Sequence, residues 1–447
     1  MSGGGGQGAA APVTGPRFVD SIKRLVLWNY GGIYFFYFVA WQFIFTFMGL
    51  WLDDQGMSST SIGRVSTVMA LTALCLQPLY GFLQDRLGFR KPLFAFVVVC
   101  AALIGPFFQF VFKPLIDVDQ TLAAVVGGIY LSLVTYAGVS VVEAFNERAS
   151  RANEFEYGHA RLFGSLGGSF ASAIGGVIWA TNPDNIWWAA SFAALVLGVL
   201  LFVARVPRQA AGAKQAGGES KAHKVSKEDI RGLITDRNFL GFVVLMMGTA
   251  ALYDVFDQQF SIYFSDLVDH PDPEALFGTV VSIQILLEAV VMLFTPAIIN
   301  RIGAKRGLQI FAGILVVRVL GSALFTSTEA LIAWRLLAAV EMPFMLVSVM
   351  KYITRMFDVK ISATAYMLGF GVAKSLGVAL FSGVFGRGYD KYGFSESYVV
   401  MSVVILVATI LASLLMGDDK GREAPTGELA DGGAGELDDE RRSAARA

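Results

Sequence analysis

The sequence predicts an all-α membrane protein, with twelve transmembrane helices arranged as two six-helix halves. Three observations carry that prediction. Hydrophobic residues make up 55% of the 447-residue chain and charged residues only 16%, at a mean hydropathy of +0.58, too apolar for a surface wetted all round. Apolar windows of spanning length recur along the chain, and basic residues collect in alternate connections between them.

A helical span needs about 20 apolar residues. Such windows lie near 28–52, 61–83, 92–113, 122–145, 160–180 and 186–204, and again near 238–264, 276–299, 308–326, 330–352, 362–385 and 395–416. The first window follows Arg17, Lys23 and Arg24 but is longer than a signal-peptide core and lacks a small-residue cleavage pattern, so it is expected to remain as a span. Between the two sets, residues 206–237 form a polar linker. With Arg205 at its edge it carries Arg208, Lys214, Lys221, Lys224, Lys227, Arg231 and Arg237, the densest basic stretch of the chain. By the positive-inside rule it is cytoplasmic. Arg86, Arg90 and Lys91, then Arg148 and Arg151, then Arg301, Lys305 and Arg306, and finally Arg355 and Lys360 fall on the same side, whereas the opposite loops are acidic or nearly uncharged. Both termini are therefore expected inside. The organisation reads as a disordered segment 1–24, a bundle 25–205, the linker 206–237, a bundle 238–417 and a disordered tail 418–447.

The net charge of −1 and the lack of any zinc-finger, helix-turn-helix or basic-aromatic pattern exclude a nucleic-acid partner. Cys75 and Cys100 fall within predicted spans and read as packing thiols, not a disulfide framework. No nucleophile–base set, metal cluster or phosphate loop points to an enzyme or to a bound cofactor.

An internal repeat supports the two halves. GFLQDRLGFRK (81–91) follows the second window, and IINRIGAKR (298–306) follows the second window of the other half, so that Asp85-Arg86-Leu87-Gly88 aligns with Asn300-Arg301-Ile302-Gly303. The first copy resembles the loop signature of the major facilitator superfamily. In it Gly81, Asp85, Arg86 and Gly88 would form a gating loop, a tight turn with one acid and several cations that locks neighbouring helix ends until the halves rock.

Charges inside the apolar windows demand a partner or a purpose, since each costs at least about 2.5–3.5 kcal/mol near the bilayer centre. The acids are Glu143, Asp254, Asp257, Glu288 and Glu341, and the bases are Arg161, Arg318, Arg335 and Lys374. Five acids against four bases leave one carboxylate over, and the cheapest way to hold it in a dry cavity is to protonate it. His159, His223 and His270 all fall at predicted loops or span ends, so proton movement at mid-membrane rests on carboxylates. Glu341 stands out because Met342-Pro343 follows it, and proline frees a backbone carbonyl that makes the helix locally polar.

At these residues the sequence resembles the lactose permease and sucrose permease family of oligosaccharide:proton symporters. VEAF (142–145), FEYGHARLFG (155–164), YDVFDQQF (253–260), INRIG (299–303), Glu341-Met-Pro, KYIT (351–354) and SATAY (362–366) carry the resemblance, which covers the chain apart from its tails and much of the linker. It implies that Glu143 and Arg161 grip sugar hydroxyls, that Asp254 pairs with Lys374 and Asp257 with Arg335, and that Glu341 bears the proton with Arg318 driving its release. The chain also departs from the lactose type. Ala338 stands where that type has a histidine, Ile285 where it has a glutamate and Gly168 where it has a stacking tryptophan, while Gln284, Glu288 and Trp41 match the sucrose type. By that resemblance Trp41 would supply the lost stacking face, and Gly164, Gly167 and Gly168 read as close-packing positions. The sucrose type retains the histidine and lacks the Asp254 and Lys374 pair, so the chain follows neither pattern fully. The resemblance thus implies a monomeric, proton-coupled importer of a disaccharide or small oligosaccharide in a bacterial cytoplasmic membrane, with sucrose-, maltose- or raffinose-like sugars favoured over lactose. The alternatives are an uncoupled sugar facilitator and a membrane sugar sensor, although the short low-complexity tails and linker offer no signalling domain.

Overall fold

The computed structural model of the chain describes residues 25–87, 90–153, 157–204 and 226–420, which form helices with no β-strand among them. Eleven helices are long and apolar enough to cross a membrane, and one bent pair supplies a twelfth crossing. In order, the spans are Leu25–Asp54, Ser59–Leu87, the pair Pro92–Ala102 with Ile104–Val118, Gln120–Ser150, Tyr157–Thr181 and Asn185–Val203 in the first half. The second half holds Arg237–Leu267, Pro273–Ile302, Ala304–Leu324, Thr328–Met356, Lys360–Tyr392 and Phe394–Leu415. Segments 1–24, 206–225 and 421–447, together with His223 and Gly88, lie outside the described residues.

The third span, expected unbroken over 92–113, bends by 49° around Leu103. Pro106 cannot donate to the preceding turn and its ring crowds the carbonyl there. The Gly105 N–H turns aside to Ser191 Oγ of the sixth span, 2.7 Å away, and the Trp188 ring lies so close that only glycine fits. The fourth span breaks at Thr135, where the Tyr37 hydroxyl donates to Val134 O at 2.8 Å and so ties the first span to the fourth. Wide π-helical turns at Met246–Ala250 and Met367–Val372 come just before Asp254 and Lys374.

Each half has its own core. In the first, Trp51, Phe108 and Trp187 pack face and edge, and Asp184 beside them accepts from Trp51 Nε1 at 2.7 Å and pairs with Lys113 Nζ at 2.9 Å. Burial works against the Asp184 charge, yet Lys113 and Trp51 hold the carboxyl below its ordinary range. In the second half, Phe256, Tyr263, Phe277 and Tyr398 are buried around the seventh span.

The halves meet at the end that carries Ser59. There the Asp390 carboxylate of the eleventh span accepts from the Ser59 and Thr60 N–H groups at 2.9 and 2.8 Å, capping the second span from across the interface. Gln259 Nε2 donates to Ser59 O at 3.0 Å, Thr67 Oγ1 to Ala379 O at 3.1 Å, and Ser169 Oγ lies 2.8 Å from Ser282 Oγ. Backbones touch at Gly63 with Ser382 and at Gly278 with Ser172, approaches that no side chain permits. These contacts zip the halves together at the end that carries Ser59.

Two features lie at or near the expected boundaries. The linker contains a helix, Lys227–Thr235, because Ser226 and Asp229 form a reciprocal capping box and Asp229 pairs with Lys360 at 2.8 Å. Lys360, aided by the Ser226 N–H and hydroxyl, pulls the Asp229 carboxyl down to about 2. Just beyond residue 417, Asp419 docks on the second bundle, buried and accepting from Ala304 N at 2.7 Å, Lys305 N at 2.8 Å and Arg355 Nη1 at 2.9 Å. The physical reason lies in the repeat. The second copy has Asn300 in place of the acid of the first, and Asn300 Oδ1 accepts from Lys351 and Arg355. Asp419 brings the missing negative charge back from beyond the last span. Burial opposes that charge, but the Lys305 and Ala304 amides and Arg355 keep the carboxyl below its usual range.

Candidate functional site

Between the halves, closed at the Ser59 end, lies a cavity of about 320 Å³ lined by both. That is the lower end of the volumes in which small ligands bind, about 300–1,000 Å³. The first span contributes Phe38, Trp41, Gln42 and Phe45, the fifth Arg161, Gly164 and Gly168, the seventh Asp254 and Asp257, and the eighth Gln284, Ile285 and Glu288. Arg335 and Lys374 complete the second-half wall.

Arg161 Nε donates to Glu143 Oε1 at 2.9 Å, and the Tyr34 hydroxyl takes Oε2 at 2.6 Å. The guanidinium carbon lies 4.3 Å from the Phe38 ring centroid, so an aromatic face holds the fork in plane. Across the cavity, Lys374 Nζ meets Asp254 Oδ2 at 2.9 Å and ties the eleventh span to the seventh. Arg335 Nη1 meets Asp257 Oδ2 at 2.8 Å and ties in the tenth.

Behind Asp257 the network leaves the cavity. Arg318, fully buried in the ninth span, donates from Nη1 to Asp257 Oδ1 at 2.8 Å. The same guanidinium donates from Nε to Glu341 Oε1 at 2.9 Å, and its Nη2 makes an ion-pair contact with Oε2 at 2.8 Å without hydrogen-bond alignment, between two side chains that no solvent reaches. The rings of Tyr253 and Phe256 lie 5.0 and 4.7 Å from it. One arginine thus bridges a carboxylate of the cavity wall to a carboxylate in the dry interior.

This geometry changes the charge count. Glu341, singled out from the sequence as the carboxylate left over, has a cation on both oxygens. The acid with no ion pair among the described residues is Glu288, half-buried on the cavity wall beside Gln284. The count of one remains, and its owner differs because a residue open to the cavity keeps water whereas a sealed one must be paired.

The remaining expected residues divide. Trp41 lines the cavity with one face stacked on Phe45, centroids 3.8 Å apart. Gly164 and Gly167 do pack tightly, against Phe38 and the Phe35 carbonyl, but Gly168 opens onto the cavity, with nothing nearer than 3.4 Å to a β-carbon placed there. Gly81 and Arg86 lie at the far end of the second span from Ser59 and do not line the cavity, and of Asp85 only the backbone is described. Sequence reasoning missed Tyr34 and Gln42. A signal for Gln42 was present: with Thr46 one turn on, it is a polar break in the aromatic run 34–47.

Two helical halves around a midplane cavity, zipped at one end and carrying charge pairs at their interface, define a secondary transporter of the major facilitator fold. A crystal structure of the nucleoside transporter NupG superposes with a TM-score of 0.74 at 13% identity, covering 88% of this chain and 99% of that one, which speaks to the fold. The family model of the LacY proton/sugar symporter matches residues 20–424, and the chain belongs to that family. It is 35% identical over 410 residues to the raffinose permease of Escherichia coli, covering 91% of this chain and 96% of that protein. It is 36% identical over 406 residues to the melibiose permease of Enterobacter cloacae, covering 90% and 95%. The protein is thus a multi-pass membrane permease and not an enzyme.

Proposed function

We propose that the protein imports a disaccharide or small oligosaccharide together with a proton, by alternating access. The observation that carries the reading is the Glu341–Arg318 ion pair, sealed from water yet joined through Asp257 to a cavity whose wall carries Arg161, held from behind by Glu143. A carboxylate in so dry a place is stable as an anion only against a cation and stable as an acid without one. Movement of Arg318 between Glu341 and Asp257 alone therefore loads and unloads one proton. In this scheme Glu341 is protonated while sugar is bound, the halves rock, and sugar leaves before Arg318 closes on Glu341 and displaces the proton. Asp254 with Lys374 and Asp257 with Arg335 hold the second half together meanwhile. Gln284 and Glu288 face the sugar from the eighth span.

Apolar Ile285 and the bare Gly168 favour a sucrose-, maltose- or raffinose-like sugar over lactose. The basic loops support a reading in which the end that carries Gly81 and Arg86 is cytoplasmic, the cavity opens toward it and both termini lie inside. The monomer in a bacterial cytoplasmic membrane is the working unit. Its parts are the two bundles, joined by the linker and flanked by the terminal segments.

Adding the carried sugar to cells in weakly buffered medium should make the medium alkaline as protons follow it inward. Sugar uptake without that change would favour an uncoupled facilitator, the reading suggested by Ala338 in place of an imidazole.

Opening the zipped end should expose the cavity outward. A side chain at Gly386 meets Ser59 O, 2.6 Å from the β-carbon, so Gly386→Leu is expected to wedge the second and eleventh spans apart. With Cys75 and Cys100 replaced by alanine and a cysteine placed at Phe45, labelling by an impermeant thiol reagent from outside should speed up severalfold. An unchanged rate would count against an outer gate at this contact.

A further inference from the structure

We propose that Gln42 is a specificity-determining sugar contact, its side-chain carbonyl accepting a hydroxyl from the second ring of a disaccharide whose first ring lies at Arg161. The proposal rests on the sugar-carrier reading above and adds a second station to the same cavity.

The amide is oriented by its neighbours. Gln42 Nε2 donates to Thr46 Oγ1 at 2.8 Å, and Thr46 Oγ1 lies 3.4 Å from Ser172 Oγ of the fifth span. With the nitrogen committed, Oε1 is the atom left for a ligand, and it has no hydrogen-bond donor among the described residues. It faces the gap that Gly168 leaves. A β-carbon there would stand 3.4 Å from Gln42 Oε1 and 3.7 Å from Ile285 Cδ1, so the bare glycine provides the room in which a hydroxyl can reach the amide.

The spacing suits two rings. Gly164 lies against Arg161 Nη1, 3.0 Å from the β-carbon position, and Gly168 lies against Gln42. Four residues of helix separate these glycines, about 6 Å along the axis, so guanidinium and amide form successive steps on one wall. Beside them Trp41, backed by Phe45, which in turn sits edge-on to Tyr136, makes a rigid apolar panel for the C–H face of a sugar ring. An amide acceptor next to such a panel reads hydroxyl direction, and a missing partner there leaves a buried polar atom unpaired. The station also lies at the zipped end of the cavity, since Ser169, next to Gly168, bonds Ser282 of the other half.

The test uses the purified full-length protein and equilibrium binding of sucrose, maltose, melibiose, lactose and raffinose, each beside its constituent monosaccharides. For the disaccharide that the wild type binds best, Gln42→Ala should weaken binding about tenfold, the worth of one hydrogen bond, and leave the monosaccharide held at Arg161 within about twofold. Gly168→Leu should fill the gap and abolish disaccharide binding while sparing that monosaccharide, which also shows that the variants are folded. Disaccharide affinity unchanged in both variants, or equal weakening of disaccharide and monosaccharide by Gln42→Ala, overturns the second station alone. A wild-type protein that binds none of these sugars overturns the carrier reading and the station with it.

Discussion

Glu341→Gln is expected to abolish accumulation of sugar against its gradient while leaving exchange of labelled for unlabelled sugar intact. Glutamine has the shape of the protonated acid and cannot ionise, so the variant is held in the proton-loaded form. Breaking a buried pair ordinarily costs about 3–5 kcal/mol because the other charge is orphaned. Here Arg318 keeps Asp257 at 2.8 Å, which makes the substitution tolerable for the fold. Exchange needs only the loaded carrier to rock back and forth, whereas net uphill uptake requires the proton to leave. Membrane vesicles with an imposed proton gradient, compared with the same vesicles in counterflow, separate the two. If counterflow disappears while sugar still binds, Glu341 does more than carry the proton and the assignment is lost.

The fold was legible because each piece of the signal is local. A run of 20 apolar residues declares a span whatever it packs against, and a charge such as Asp254 or Lys374 inside such a run declares that a partner exists. What stayed hidden depends on where separate spans meet. Arg318, Asp257 and Glu341 come from the ninth, seventh and tenth spans, so a count made along the chain gives one surplus acid but not which acid it is. The same blindness passed the surplus role to Glu341 when Glu288 holds it. Pro106 was visible, but the Ser191 hydroxyl that accepts the Gly105 amide, and so permits a sharp break in an apolar span, is a long-range event. Asp419 was hidden by composition, since a Gly- and Glu-rich tail looks alike along its length while one of its first residues caps a helix. Gln42 was hidden in plain view among aromatics, where the eye follows the rings.

Arg161→Lys is expected to lower sugar affinity by at least about 100-fold, because two charge-assisted hydrogen bonds at about 1.5–3 kcal/mol each depend on the guanidinium fork. The structure explains why lysine is no substitute. Arg161 spends Nε on Glu143 and lies over the Phe38 ring, so its terminal nitrogens are presented together in a fixed plane. An ammonium has a single nitrogen at the end of a flexible stem. It can satisfy Glu143 or a hydroxyl pair in the cavity, but it cannot hold both in one plane. The change preserves the positive charge, so Glu143 keeps a counterion and the first half keeps its packing, and a loss of binding then reports geometry and not misfolding. Equilibrium binding on the purified variant, with thermal unfolding as the control, makes the measurement. An affinity equal to the wild type would mean that the Arg161 fork touches no sugar and that the Glu143–Arg161 pair is only a strut between the fourth and fifth spans.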